Sequence, residues 1–310
     1  MHHRLSAIRE NLHGHFSREL APVLTIDPGD RVTFECLEGN WALEPNNGKE
    51  HRRRHMELRP DGLDSGHALT GPIFIRNASP GRVLKVTIET LELGDWGTTF
   101  VGGWPSAWNA KLGVEDKGIF LTWTYKDGFA TNQFGHRVPV SPFLGVMGMP
   151  VDLDGIQSTI PPRRTGGNLD CKELIAGSTL YLPIEVEGGL FSTGDGHGAQ
   201  GDGEVCSTAI ETPMANATLS FDVVDLPFRR PVAETPSGWV GMGLGATLDE
   251  AMLDAIEVMA ELMHWLHGYD RLTAIGLCSV AVDFRVTQVV NEVVGVHGVL
   301  PHGRIQSLSV

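Results

Sequence analysis

A mainly β fold of the α+β kind is predicted: a β-sandwich or barrel-like scaffold of short antiparallel strands with a helical C-terminal segment. Three observations point to it. Roughly the first 230 residues alternate short apolar segments with Gly and Pro, the pattern of strands and tight turns. Two of these segments open alike, Asp27-Pro28-Gly29-Asp30 ahead of Arg31 to Glu35 and Ser79-Pro80-Gly81-Arg82 ahead of Val83 to Ile88. A long helical apolar period begins after Thr247.

Each opening turn places Pro second and Gly third, the chemistry of a type II turn feeding a strand. Further strands are expected at Gly71 to Ile75, Thr179 to Pro183 and Ala217 to Val224. Thr247-Leu248-Asp249-Glu250 is a capping box, so a helix should start there, run to about His267 and stop at Gly268. Leu248, Met252, Ala255, Met259, Leu262 and Leu266 recur at steps of four and three and form its expected core stripe. A shorter helix over Arg271 to Ala281 and a strand over Phe284 to Val290 complete the chain. Residues 1–310 are expected to form a single domain, or two intertwined lobes with a boundary near residue 150.

Composition limits the function classes. The 310 residues are 41% hydrophobic and 20% charged, enough for a sizeable core. With 38 acidic against 24 basic residues the net charge is −14, which argues against nucleic acid or an anionic membrane as partner. No apolar stretch approaches the roughly 20 residues of a membrane span, and Met1-His2-His3-Arg4 lacks the apolar region of a signal peptide, so a cytoplasmic protein is expected. Cys36, Cys171, Cys206 and Cys278 show no CxxC spacing and are expected to be free thiols.

The densest chemistry lies in Gly194-Asp195-Gly196-His197-Gly198-Ala199-Gln200-Gly201-Asp202-Gly203-Glu204. Three carboxylates, an imidazole and a carboxamide stand among residues too small to build a core, and the stretch reads as a tight loop held by a sheet. It contains GxGxxG, but Asp202 and Glu204 follow at once and would repel a phosphate, so a dinucleotide site is rejected. An EF-hand calcium loop is excluded too, because the sixth position from Asp195 is Gln200 where glycine is required. Asp195 and His197, two apart on extended backbone, can face the same way and suit zinc or a similar divalent ion. The alternative is a turn whose acids cap backbone amides. Gly201 is expected to need positive φ beside a cavity. Gly241-Met242-Gly243-Leu244-Gly245 offers either an anion cradle or plain packing ahead of the long helix.

Two other segments share this character. Pro161 to Asp170 reads PPRRTGGNLD, a stiff entry, two glycines, then an amide and a carboxylate; Asp64 to Pro72 places His67 ahead of a strand. With HALTGPI from His67, Pro142 to Gly148, PPRRTGGNLD, the block Leu180 to Glu211 and CSVAVDFRVTQVVN from Cys278, the chain resembles the acetamidase/formamidase family over nearly its whole length. Cys36 to Trp41 and the basic run Lys49 to Arg54 depart from that family's pattern. The resemblance implies a β-rich fold, hydrolysis of short aliphatic amides such as formamide or acetamide to a carboxylate and ammonia, a divalent metal, and a homo-oligomer, expected to be a dimer. Zinc is the expected metal and calcium the alternative. His67, Asp195, His197, Asp202 and Asp170 are the candidate ligands, Glu204 the candidate general base, and Asn168 and Gln200 the candidate partners of the amide. The competing readings are a non-catalytic metal-containing binding protein for small amides and a hydrolase of another C–N bond.

Overall fold

The computed structural model describes residues 1–46, 53–60 and 62–306; the basic run from Lys49 lies outside the described residues as far as Arg52. Two open sheets meet over a shared core. The first has nine strands, in the order His2–Leu5, Arg31–Cys36, Met214–Val224, Val83–Leu93, Thr179–Pro183, Val232–Thr235, Gly238–Gly245, Val294–Pro301 and Asp283–Gln288. The second runs Arg137–Pro139, Phe129–Asn132, Ile119–Lys126, Trp96–Val101, Glu211–Thr212, Phe191–His197, Phe143–Gly148 and Gly166–Asn168. Leu69–Ile75 also pairs with Phe191–His197, and carries Leu12–His13 and Leu24–Ile26 on its other side. Both orders run from edge strand to edge strand, so the barrel-like alternative is not what forms. Nor are all strands short: Val83–Leu93 and Met214–Val224 each have 11 residues and pair along nearly their full length.

The core is where the sheets face each other. Phe34 and Phe221 from the first sheet meet Phe191 from the second edge-on, with ring centroids 5.1 to 6.4 Å apart. All three are fully buried, each worth roughly 1.5–3 kcal/mol of transfer free energy. The two anticipated Pro-Gly turns form, with Gly29 and Gly81 at φ 89° and 90° as a type II turn requires.

The long helix spans Leu248–His267, with the Thr247/Glu250 capping box made and Gly268 in the left-handed conformation. Its core stripe is displaced from the one expected. Leu248 and Met252 are 41% and 37% exposed, while Ala251, Val258, Ala260 and Met263 are buried with Ala255, Met259 and Leu262. The cause lies beneath the helix: Gly243 backs directly onto the backbone of Ala251 and Ala255, and Gly245 onto Glu250 and Ala251. A seam that tight admits alanine and pushes the larger residues aside. The glycines of 241–245 therefore serve packing, within the strand Gly238–Gly245, and make no anion cradle.

The acid-glycine stretch also differs from expectation, because its first half is strand and not loop. Phe191–His197 is a fully buried central strand of the second sheet. Gly194 and Gly196 sit against the carbonyls of Ala68 and Thr212, where no side chain would fit. The four cysteines are free, Cys206 alone being partly exposed. Among the described residues no helix is long and apolar enough to cross a membrane.

Candidate active site

The central strand ends on the densest polar cluster of the second sheet. Asp195 and His197 point to one side of it, with Asp195 Oδ2 3.4 Å from His197 Nε2. Pairing of His197 with Glu211 across the sheet brings Glu211 Oε2 to 3.3 Å from the same nitrogen. Asp170, two residues beyond the strand Gly166–Asn168, puts Oδ1 3.9 Å from His197 Nδ1. His67 approaches from the start of Leu69–Ile75, its Nε2 4.0 Å from Asp195 Oδ2. Glu204 follows the strand on a turn, and its carboxylate lies within 4.8 Å of the donor atoms of His197 and Glu211. Asp170, Asp195 and Glu204 hold left-handed backbone, at φ 46°, 55° and 44°. Such conformations cost on the order of 1–3 kcal/mol each and persist where the surroundings dictate them, typically at functional sites.

Burial and mutual repulsion shape the charges. Burial, together with the charge of Asp195, lifts the Asp170 carboxyl to about 6 and that of Glu211 to about 8. Glu204 is raised well above its ordinary 4.5, first by burial and then by Asp170. Burial works against the Asp195 carboxylate as well, but His67 and His197 outweigh it and hold that group below the usual carboxylate range. At His197 burial disfavours the cation, yet Glu211 and Asp195 carry the imidazole well above 6.5.

The tautomer of His197 follows from its neighbours. Gln200 donates its amide nitrogen to the Asp170 carbonyl at 2.8 Å, so its oxygen is what faces His197 Nδ1 at 3.0 Å. An amide oxygen only accepts; Nδ1 must therefore carry the hydrogen and Nε2 the lone pair, unless the ring is doubly protonated. Nε2 is thus the nitrogen that can give up its proton to offer a lone pair, and it faces Asp195 and Glu211. His197 Nε2, Asp170 Oδ1 and Glu204 Oε2 are buried without a hydrogen-bond partner among the described residues. Electron-pair donors converging on one another, with a second partner fixing the imidazole, are what a divalent cation requires. The residues fit a metal: His197, Asp195 and Asp170 form one triple of converging donors, and His197, Glu211 and Glu204 another.

Of the residues singled out from sequence, Asp170, Asp195, His197, Glu204 and His67 are brought together. Gln200 stands beside them as the partner of His197. Asp202 faces outward, its carboxylate 3.0 Å from Lys172 Nζ and a third exposed. Asn168 is buried but donates to the Ile160 carbonyl, and no hydrogen bond ties it to the cluster among the described residues. Gly201, expected to crowd a cavity at positive φ, has open space where a side chain would begin and does not hold positive φ. Glu211 went unnoticed in the sequence, because only strand register carries it to His197. Asn291, within the C-terminal stretch from Cys278, donates to Asp170 Oδ2 at 2.5 Å and fixes that carboxylate. The Cys36 to Trp41 segment lies over the site, with Gly39 against Asp195 and His67, and Glu38 buried on Arg53.

Gly145 also leaves room that the cluster needs. A methyl group there would stand 2.6 Å from Asp170 Oδ1, 2.7 Å from Asp195 Oδ2 and 3.0 Å from His197 Cε1. Gly145→Ala is therefore expected to weaken metal affinity about 10- to 100-fold, the range for disturbing groups that orient ligands. Titration of the metal-free protein with zinc checks this, and unchanged affinity would show that the donors do not act together.

Three comparisons bear on this geometry. The chain is 27% identical to the acetamidase of Mycolicibacterium smegmatis over 62% of its own length and 61% of that enzyme, so it spans about three fifths of this relative. The crystal structure of a predicted acetamidase/formamidase from Thermoanaerobacter tengcongensis superposes with a TM-score of 0.85 at 27% identity, covering 97% of this chain and 96% of that one. An acetamidase from Bacillus halodurans gives 0.83 at 26% identity, with 96% and 97% covered. The family model described as Acetamidase/Formamidase matches residues 1–149 and 150–231, a span that contains every residue of the carboxylate-histidine cluster. On that match, and on a fold shared along nearly the whole chain, the protein belongs to the acetamidase/formamidase family.

Proposed function

We propose that the protein hydrolyses primary aliphatic amides to a carboxylate and ammonia, and that it does so with a divalent metal, zinc, held by the central cluster. The observation that carries this reading is the buried convergence of His197 Nε2, which has no hydrogen-bond partner among the described residues, with the carboxylates of Asp195 and Glu211. An imidazole nitrogen among carboxylates suits zinc better than calcium, which takes oxygen ligands. A zinc ion there supplies Lewis acidity, polarising an amide carbonyl and acidifying a water.

The remaining work falls to side chains. His197, Asp195, Glu211 and Asp170 would hold the ion; Gln200 and Asn291 keep His197 and Asp170 in place. Glu204 is the proton carrier, taking a proton from the attacking water and returning it to the nitrogen that leaves as ammonia. Burial raises its carboxyl well above the ordinary 4.5, which favours the protonated form that donates to the leaving nitrogen. No serine or cysteine nucleophile is required.

The test is ammonia release from formamide, acetamide and propionamide by the purified protein, before and after chelation, with elemental analysis of the same preparation. Chelation should abolish release and zinc should restore it. Release that survives complete removal of metal would overturn the metal-dependent reading, and no release from any amide would overturn amide hydrolysis.

A further inference from the structure

A cavity of about 450 Å³ opens beside the cluster, with Glu204 and Gln200 among its lining residues. Cavities of roughly 300–1,000 Å³ hold drug-sized ligands, whereas acetamide has four heavy atoms. Trp123, Val138, Pro139, Val205 and Ile210 supply the larger apolar side chains of its wall. Ile210 and Trp123 belong to a buried apolar cluster that Val138 packs against, so this side of the cavity is built on core. Val205, another lining residue, is 66% exposed.

The polar groups along the wall are already engaged. Trp123 Nε1 donates to Thr99 Oγ1 at 3.0 Å, and that hydroxyl donates to the Ala209 carbonyl at 2.6 Å. Thr208 Oγ1 donates to the Phe100 carbonyl at 3.0 Å, and Asp202 is tied to Lys172. Of the lining residues, Glu204 carries a buried side-chain oxygen, Oε2, without a hydrogen-bond partner among the described residues. The larger side chains of this wall offer apolar contact to an acyl chain, and an anionic group would meet the carboxylates of the cluster.

We infer that the preferred substrate is a primary amide with an extended apolar acyl group, of about six carbons or one aromatic ring, whose chain fills this cavity while its carboxamide lies at Glu204. The inference rests on the amide-hydrolase reading and names its substrate class. Each methylene moved from water into an apolar site is worth about fourfold in binding. Four extra methylenes should thus favour hexanamide over acetamide by roughly 200-fold in kcat/KM.

The experiment compares kcat/KM for acetamide, propionamide, hexanamide and phenylacetamide on zinc-loaded protein by ammonia release. Binding of 2-heptanone, which carries the hexanoyl chain and cannot release ammonia, is measured against acetone by calorimetry. Val138→Ser combined with Val205→Ser should cut the hexanamide rate constant about tenfold and leave acetamide unchanged, since neither residue is in the cluster. Hydrolysis of acetamide with no gain for hexanamide, or equal binding of the two ketones, would overturn the inference and leave amide hydrolysis standing. Failure to hydrolyse any of the four amides would overturn both.

Discussion

His197→Ala is expected to lose bound metal and turnover together and to melt below the native protein. His197 donates from Nδ1 to Gln200 and turns Nε2 toward Asp195 and Glu211, so it is the one side chain common to both triples of converging donors. Loss of an outer partner of a metal ligand costs about 10- to 100-fold, so loss of the ligand shared by both triples should cost roughly a thousandfold or more. Stability falls for a separate reason. The imidazole is fully buried, with Phe143 edge-on at 4.9 Å, and removing it leaves a gap there and, in the metal-free protein, takes from Asp195 a cation that holds it ionised. Breaking a buried pair in this way costs about 3–5 kcal/mol, and proton uptake by Glu211, already shifted to about 8, keeps the loss at the lower end. Metal content, kcat and melting temperature measured on one preparation check the set. Native metal stoichiometry together with a native rate would remove His197 from the site.

That stability cost separates what the sequence made legible from what it hid. Asp195 and His197 were readable as a pair because an i, i+2 spacing on extended backbone places two side chains on one face. The glycines around them argued for a loop, since glycine weakens strands in general. Here Gly194 and Gly196 are small because the neighbouring strands press on them, a cause that no local pattern displays. Local chemistry was dependable where the signal was itself local: the Pro-Gly turns, the capping box and the helix ends all lie within a few residues of the groups that cause them. Glu211 and Asn291 carry no such signal. One reaches the site through the register of a short strand, the other from the loop before the strand Val294–Pro301. The displaced stripe of the long helix has the same origin, because Gly243 and Gly245 decide from the partner strand which helical residues can sit closest.

Glu204→Gln is expected to lower kcat by about 10²- to 10⁴-fold while metal content stays near native. A general base or acid contributes about that range, and glutamine keeps the shape of the side chain without being able to take a proton. The structure adds reasons for choosing this residue. Glu204 Oε2 is buried without a partner, the side chain lines the cavity beside the cluster, and a left-handed backbone holds it there. Asp195 and Glu211 instead direct their oxygens at His197 Nε2, as ligands of a common ion would. Were Glu204 only a turn cap, glutamine would change the rate little and cost some stability, since its backbone neighbours Gly201 and Ser207 are already joined to it by main-chain bonds. Were it a ligand, metal and activity would fall together, as His197, Glu204 and Glu211 are close enough to share an ion. The proton-carrier role predicts a third pattern: metal retained, kcat reduced, and KM for the amide changed little because the residue acts in the transition state. Parallel measurement of kcat, KM and bound zinc distinguishes the three, and loss of zinc in step with kcat would assign Glu204 to the metal and leave the proton carrier to be found elsewhere in the cluster.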